Sequence, residues 1–99
     1  MADILSDEQA AEALKDRTHW EVREGAIVRE VEAPRFLQGI AIVEEVAQAA
    51  EAANHHPDID IRYSTLTFAL VSHDAGGLTA KDFDLAGTID EIVDQHLSR

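Results

Sequence analysis

Apolar and polar positions recur along this chain with two different periods, and the places where the period changes mark out its elements. Ser6-Asp7-Glu8-Gln9 has the form of a capping box, with Ser6 as N-cap and Gln9 three residues on. It predicts a helix to about Asp16, with Ala10, Ala13 and Leu14 on one side. Between Trp20 and Glu32, two short alternating runs flank Glu24-Gly25, which predicts a β-hairpin. Pro34 then stands where the first turn of a helix accepts a proline. From about Pro34 to Ala53 the apolar residues take up 3–4 spacing, at Phe36, Ile40, Val43, Ala47 and Ala50. Ile42, Val46, Ala49 and Ala53 widen that arc to roughly 180°, more than the ~100° stripe that covering a sheet requires. Glu44, Glu45, Gln48 and Glu51 lie outside it. One edge of this helix is therefore expected to cover a sheet and the other to meet a second subunit, with Ile42 and Val46 as candidate interface residues. A helix that merely tolerates alanine is the alternative.

Ile59 to Ser72 is rich in β-branched and aromatic residues and predicts strand, with Leu66, Phe68 and Leu70 on one side and Thr65, Thr67 and Ala69 on the other. Asp74-Ala75-Gly76-Gly77 predicts a loop. Thr79-Ala80-Lys81-Asp82 is a second capping box, opening a final helix with Leu85, Ile89, Ile92 and Val93 inward. The order helix, hairpin, helix, strand region, helix predicts an α+β fold. We expect a single domain over residues 1–99, a four-stranded antiparallel sheet with three helices packed on one face.

Composition narrows the chemistry. The 99 residues contain no cysteine, which excludes disulfides, thiolate metal sites and cysteine nucleophiles. A formal charge of −12 argues against direct nucleic-acid binding and against an anionic membrane surface, since both need clustered cations. No run approaches the ~18 apolar residues of a membrane span, and the N-terminus lacks the pattern of a signal peptide. The cytoplasm is the expected location. A small ligand or a protein partner remains.

The five histidines carry the strongest hint. His19 precedes a strand and His96 lies in a last helical turn, where a cation suits the helix dipole; both read as structural. His55, His56 and His73 flank the strand region at its two ends. One straight strand from Ile59 to Ser72 would hold those ends about 45 Å apart, at ~3.3 Å per residue. If the chain instead doubles back between Ser64 and Thr65, His73 comes opposite His56. Three converging histidines admit a zinc site, half-buried polar residues at strand ends, or metal-free acid–base chemistry near imidazole's ordinary pKa of ~6.5. Joint ligation by His55 and His56 is awkward, because neighbours in extended chain point to opposite sides. Glu51, about one helical turn earlier, is placed to orient an imidazole or contact a ligand.

Glu51-x-x-Asn54-His55-His56-Pro57-Asp58, then Tyr63, then Ser72-His73-Asp74 and Gly77-Leu78-Thr79-x-x-Asp82, resembles the pterin-4a-carbinolamine dehydratase family. The resemblance extends from Trp20 through the final helix. It implies that His55, His56 and His73 line a pterin site as catalytic residues, with Glu51, Asn54, Pro57 and Asp82 as substrate-binding positions. Asp82 also has a structural explanation as a capping residue. The chain departs from the family at Asn54, where many members have aspartate, and at Ile59, where many have tryptophan.

The implied reaction is loss of water from a 4a-hydroxytetrahydropterin to give the quinonoid dihydropterin, in tetrahydropterin recycling. It needs a proton delivered to the 4a-hydroxyl and another removed from N5, and neither metal nor cofactor is expected. The resemblance also implies a homodimer or homotetramer. The alternative is a non-catalytic protein-binding or dimerisation cofactor that uses the apolar face of helix 34–53. That alternative explains the helix but leaves the three histidines without a purpose.

Overall fold

The first capping box forms as its sequence implies. Ser6 Oγ accepts the Gln9 N–H at 3.1 Å and Gln9 Oε1 accepts the Ser6 N–H at 2.8 Å. The computed structural model describes residues 3–98. It runs α1 (Asp7–Leu14), β1 (Glu21–Arg23), β2 (Ala26–Glu32), α2 (Phe36–Ala53), β3 (Asp58–Arg62), β4 (Thr65–Leu70) and α3 (Ala80–Leu97). Helix α1 stops short of Asp16 because the Lys15 and Asp16 N–H groups bond three residues back, to Glu12 and Ala13. That tighter winding is a common way for a helix to finish. Glu24 and Gly25, with φ of 52° and 83°, make the two-residue turn between β1 and β2. Positive φ at both positions matches the twist of the paired strands.

Helix α2 begins later than the proline suggested. Arg35 is its N-cap, in extended conformation, so Pro34 lies before the helix rather than in its first turn. The cause is a tether, the Ala33 N–H donating to Ser64 O at 2.9 Å. This holds the chain at the sheet until Ala33, and Pro34 and Arg35 are needed to swing it over.

The four strands lie in the order β1-β2-β4-β3, with every neighbouring pair antiparallel. Ile27, Arg29 and Val31 of β2 stand opposite Leu70, Phe68 and Leu66 of β4. Directly opposed residues share a face, and this is the face that the three helices cover. Phe68, Ile27, Leu66 and Leu70 are fully buried there with Ile42 of α2 and Ile89 of α3. Each such side chain contributes about 1.5–3 kcal/mol through burial. Arg29 is the exception on this apolar face. Its guanidinium pairs with Asp90 of α3, and the same carboxylate accepts the Trp20 indole N–H at 2.8 Å. At Gly39 the helix comes so close to the sheet that an added Cβ would lie 3.5 Å from Leu66 Cδ2.

The expectation that Ile42 and Val46 face a second subunit is corrected here. Both are 0% exposed within this one chain. Helix α3 packs alongside α2, so the wide apolar arc is divided between a sheet and a neighbouring helix of the same subunit. Ala41, Glu44, Glu45, Ala47 and Gln48 face outward. The large exposed apolar side chains of α2 are in its first turn, at Phe36 and Leu37.

Candidate active site

The site is assembled from four chain ends that meet at one edge of the layers: the end of α2, the start of β3, the end of β4 and the start of α3. Asn54 ends α2 in the left-handed conformation, φ 50° and ψ 43°. The Asn54 N–H donates to Glu51 O at 3.2 Å and the His55 N–H to Ala50 O at 3.1 Å. This pair of bonds is the Schellman pattern, which reverses the chain sharply. Asparagine is one of the few residues besides glycine to visit that conformation readily. Its backbone role thus explains why His55 and His56 leave the helix toward the site.

The chain doubles back as the histidine spacing required, with Tyr63 and Ser64 forming the turn and Arg62 pairing with Thr65. Tyr63 takes φ 53° at that turn, where glycine would be the usual signal. The register differs from the expected one. Asp58 pairs with Ala69, two residues away from a pairing that would set His73 opposite His56. A shift of two leaves every side chain on its original face, so the convergence survives. Beyond β4, Ser72 and Gly77 bridge each other, with N–H···O distances of 3.1 and 3.3 Å, and pin the loop that carries His73.

His55, His56 and His73 line one cavity of about 260 Å3, together with Asn54 and Asp74. Val71 and Lys81 complete its wall. Two histidine–carboxylate pairs organise it. His55 Nε2 lies 2.6 Å from Asp82 Oδ1, with side chains 11% and 0% exposed. The other oxygen of Asp82 accepts the Ser72 hydroxyl at 3.0 Å and the Thr79 N–H at 2.9 Å. The capping carboxylate of α3 is therefore also the partner of His55. His56 pairs with Glu51 across the last turn of α2, both largely exposed. The His73 ring makes no hydrogen bond among the described residues.

Several positions fall differently from the sequence reading. Asp82 is fully buried behind His55, placed to orient that imidazole. Pro57 starts the path into β3 and does not line the cavity. Glu51 reaches the site only through His56. Lys81 was missed, although its place within Thr79-x-x-Asp82 put it at the start of the helix carrying the site's buried aspartate. Ser72 was missed as a support because its residue type and strand position carry no signal of a buried carboxylate partner. Away from the site, His96 Nε2 meets Glu45 Oε1 at 2.8 Å and ties α3 to α2, while His19 is exposed. Among the described residues no group of three or more His, Asp or Glu side chains is arranged to hold a metal ion. No described helix is long and apolar enough to cross a membrane.

Three imidazoles lining one cavity are groups able to exchange protons with a bound ligand. A relative from Mycobacterium sp. (strain KMS), provisionally named a pterin-4-alpha-carbinolamine dehydratase, is 51% identical over 92 residues, 93% of this chain and 98% of its own. One from Nocardia farcinica (strain IFM 10152) with the same provisional name is 54% identical over 91 residues, 92% of this chain and 96% of its own. A crystal structure of a transcriptional coactivator/pterin dehydratase from Brucella melitensis superposes with a TM-score of 0.88 at 25% identity, covering 92% of this chain and 99% of that one. The family model described as pterin 4 alpha carbinolamine dehydratase matches residues 3–92, and the chain belongs to that family.

Proposed function

We propose that this protein dehydrates a 4a-hydroxytetrahydropterin to the quinonoid dihydropterin by metal-free acid–base catalysis in the histidine cavity. The observation that carries the reading is the convergence of His55, His56 and His73 on one cavity, in a chain of a dehydratase family. The reaction breaks the C4a–O bond and forms the C4a=N5 bond. One histidine delivers a proton to the departing hydroxyl, which leaves as water, and another takes the proton from N5. Positioned general acids and bases contribute typically 10²–10⁴-fold each, and holding the ring between them supplies further acceleration.

The buried carboxylate gives His55 a defined chemistry. An ionised Asp82 only accepts hydrogen bonds, so it favours the His55 form with a proton on Nε2. In the neutral ring Nδ1 is then the basic nitrogen, and on protonation the positive charge faces Asp82. His56 and His73 are more exposed and can exchange protons with solvent.

Tetrahydropterin recycling in the cytoplasm is the setting that this activity fits. Assembly as a homodimer or homotetramer is part of the proposal. It is supported by an exposed apolar group in which Phe36 and Tyr63 stack with ring centroids 6.3 Å apart. The same surface suits a protein partner, a second role consistent with the coactivator named in the Brucella melitensis structure.

The test is stopped-flow dehydration of a chemically generated 4a-carbinolamine, with and without chelator. Acceleration that chelator leaves unchanged is expected. No acceleration would overturn the activity, and loss on chelation would overturn the mechanism.

A further inference from the structure

The three histidines of the cavity are not held alike. His55 faces Asp82 and His56 faces Glu51, whereas the His73 ring has no hydrogen-bond partner among the described residues. Its position therefore depends on how firmly the backbone of its loop is held. That loop is short and closed on itself. Ser72 O accepts the N–H groups of Ala75, Gly76 and Gly77 at 3.1, 2.9 and 3.3 Å, and the Ser72 N–H donates to Gly77 O at 3.1 Å. Gly77 is thus the point at which the loop closes, two residues before Thr79, the N-cap of α3.

The N-terminal segment lies against this point. The Leu5 N–H donates to Leu78 O at 2.7 Å, and Leu78 is buried. Ile4 packs on Gly77 so closely that an added Cβ there would lie 3.1 Å from Ile4 Cγ2. Among the described residues, the Leu5–Leu78 bond is the one backbone hydrogen bond from residues 3–14 to any part of the chain beyond Arg17. A cavity of about 490 Å3 lies between α1 and the β1–β2 hairpin, with Ala11 and Leu14 on one side and Val22 and Gly25 on the other. Ile4 is 54% exposed, so the stability of the core does not account for its close seat on Gly77.

We propose that Ile4 and Leu5 form a strap that positions His73 for catalysis, Ile4 acting through Gly77 and Leu5 through Leu78. The proposal rests on the dehydratase reading, because it needs His73 to meet the substrate. Neither strap residue lines the histidine cavity, so both are positioning residues. Gly77 has no side chain to absorb a displacement, and Ile4 therefore bears directly on the backbone that closes the loop. Close packing transmits such a shift, and a misplacement of 1 Å at a reacting group can cost roughly 10²-fold in rate.

The experiment measures kcat and KM for a chemically generated 4a-carbinolamine in the wild type, Ile4→Ala, Ile4→Val, Gly77→Ala, the Ile4→Ala/Gly77→Ala double variant and Val22→Ala. Ile4 is half-exposed, so Ile4→Ala leaves the core intact. It is expected to lower kcat about tenfold with little change in KM, part of the loss that a larger misplacement would bring. Ile4→Val keeps the Cγ2 that meets Gly77 and should restore kcat. Gly77→Ala crowds the strap and should also lower kcat. In the double variant the added methyl takes the space that Ile4 vacates, so kcat should exceed that of Gly77→Ala alone, a non-additivity expected only of residues in contact. Val22→Ala removes apolar surface from the same cavity and should match the wild type. An unchanged kcat in Ile4→Ala, a loss carried by KM, an equal loss in Val22→Ala, or a double variant no better than Gly77→Ala would overturn the strap and leave the dehydratase reading standing. Absence of turnover in the wild type would sink that reading and the strap's catalytic role with it.

Discussion

His55 and His56 are adjacent in the chain, each faces a carboxylate, and their surroundings are opposite. His55 is 11% exposed against an Asp82 that is 0% exposed, whereas His56 and Glu51 are 55% and 78% exposed. A carboxylate withdrawn from water must have its lone pairs occupied. Asp82 meets that need with His55, Ser72 and Thr79. These partners belong to the end of α2, the end of β4 and the start of α3, so the pair joins the site to the fold. The outer pair sits in high dielectric, where such contacts are worth about 0–1 kcal/mol. It leaves His56 free to move and to exchange protons. One histidine is held by the architecture and the other is only presented by it.

The largest effect should come from removing the buried acceptor. Asp82→Ala leaves the Ser72 hydroxyl, the Thr79 N–H and the His55 ring without their common partner. A loss of at least about 3 kcal/mol is expected from a buried network broken on one side. Urea denaturation measures it, and a loss under 1 kcal/mol would mean that Asp82 is not the junction described. Next comes the direct contrast between the neighbours. His55→Ala should cost about 1–3 kcal/mol, because it leaves one oxygen of Asp82 unpaired. His56→Ala should stay within about 0.5 kcal/mol, as exposed substitutions usually do. Equal stabilities for the two variants would erase the distinction. A third effect concerns the residue that separates the two environments by ending the helix. Asn54→Ala should cost about 1–2 kcal/mol for a left-handed alanine, while Asn54→Gly should be close to neutral. Thermal melts of both variants would separate this backbone role from any side-chain contact.

The two capping boxes, the β1–β2 hairpin and the inward faces of β4 and α3 were legible in the sequence because each rests on local chemistry repeated at a fixed period. Two features were not, for different reasons. The width of the α2 arc was visible, but what covered it was not, since periodicity cannot tell a helix of the same chain from one of another. Periodicity alone therefore leaves Ile42 and Val46 as candidates for an interface. The β3–β4 turn lacks glycine, and Tyr63 adopts positive φ because pairing on both sides holds it there. Only the need to bring His73 near His56 pointed to that turn, and the need alone could not fix the register. In the site, the three histidines stood out by residue type. Asp82's second role did not, because the capping box already accounted for it, and the contact with His55 spans 27 residues of sequence.

The histidine cavity as the seat of catalysis is tested most directly by kcat for dehydration in His56→Ala and His73→Ala beside His19→Ala. His19 is exposed, does not line the cavity, and serves as the control. Losses of about 10²-fold or more are expected for the two cavity residues, with His19→Ala close to wild type. Three variants of similar activity would contradict the assignment, however well each of them folds.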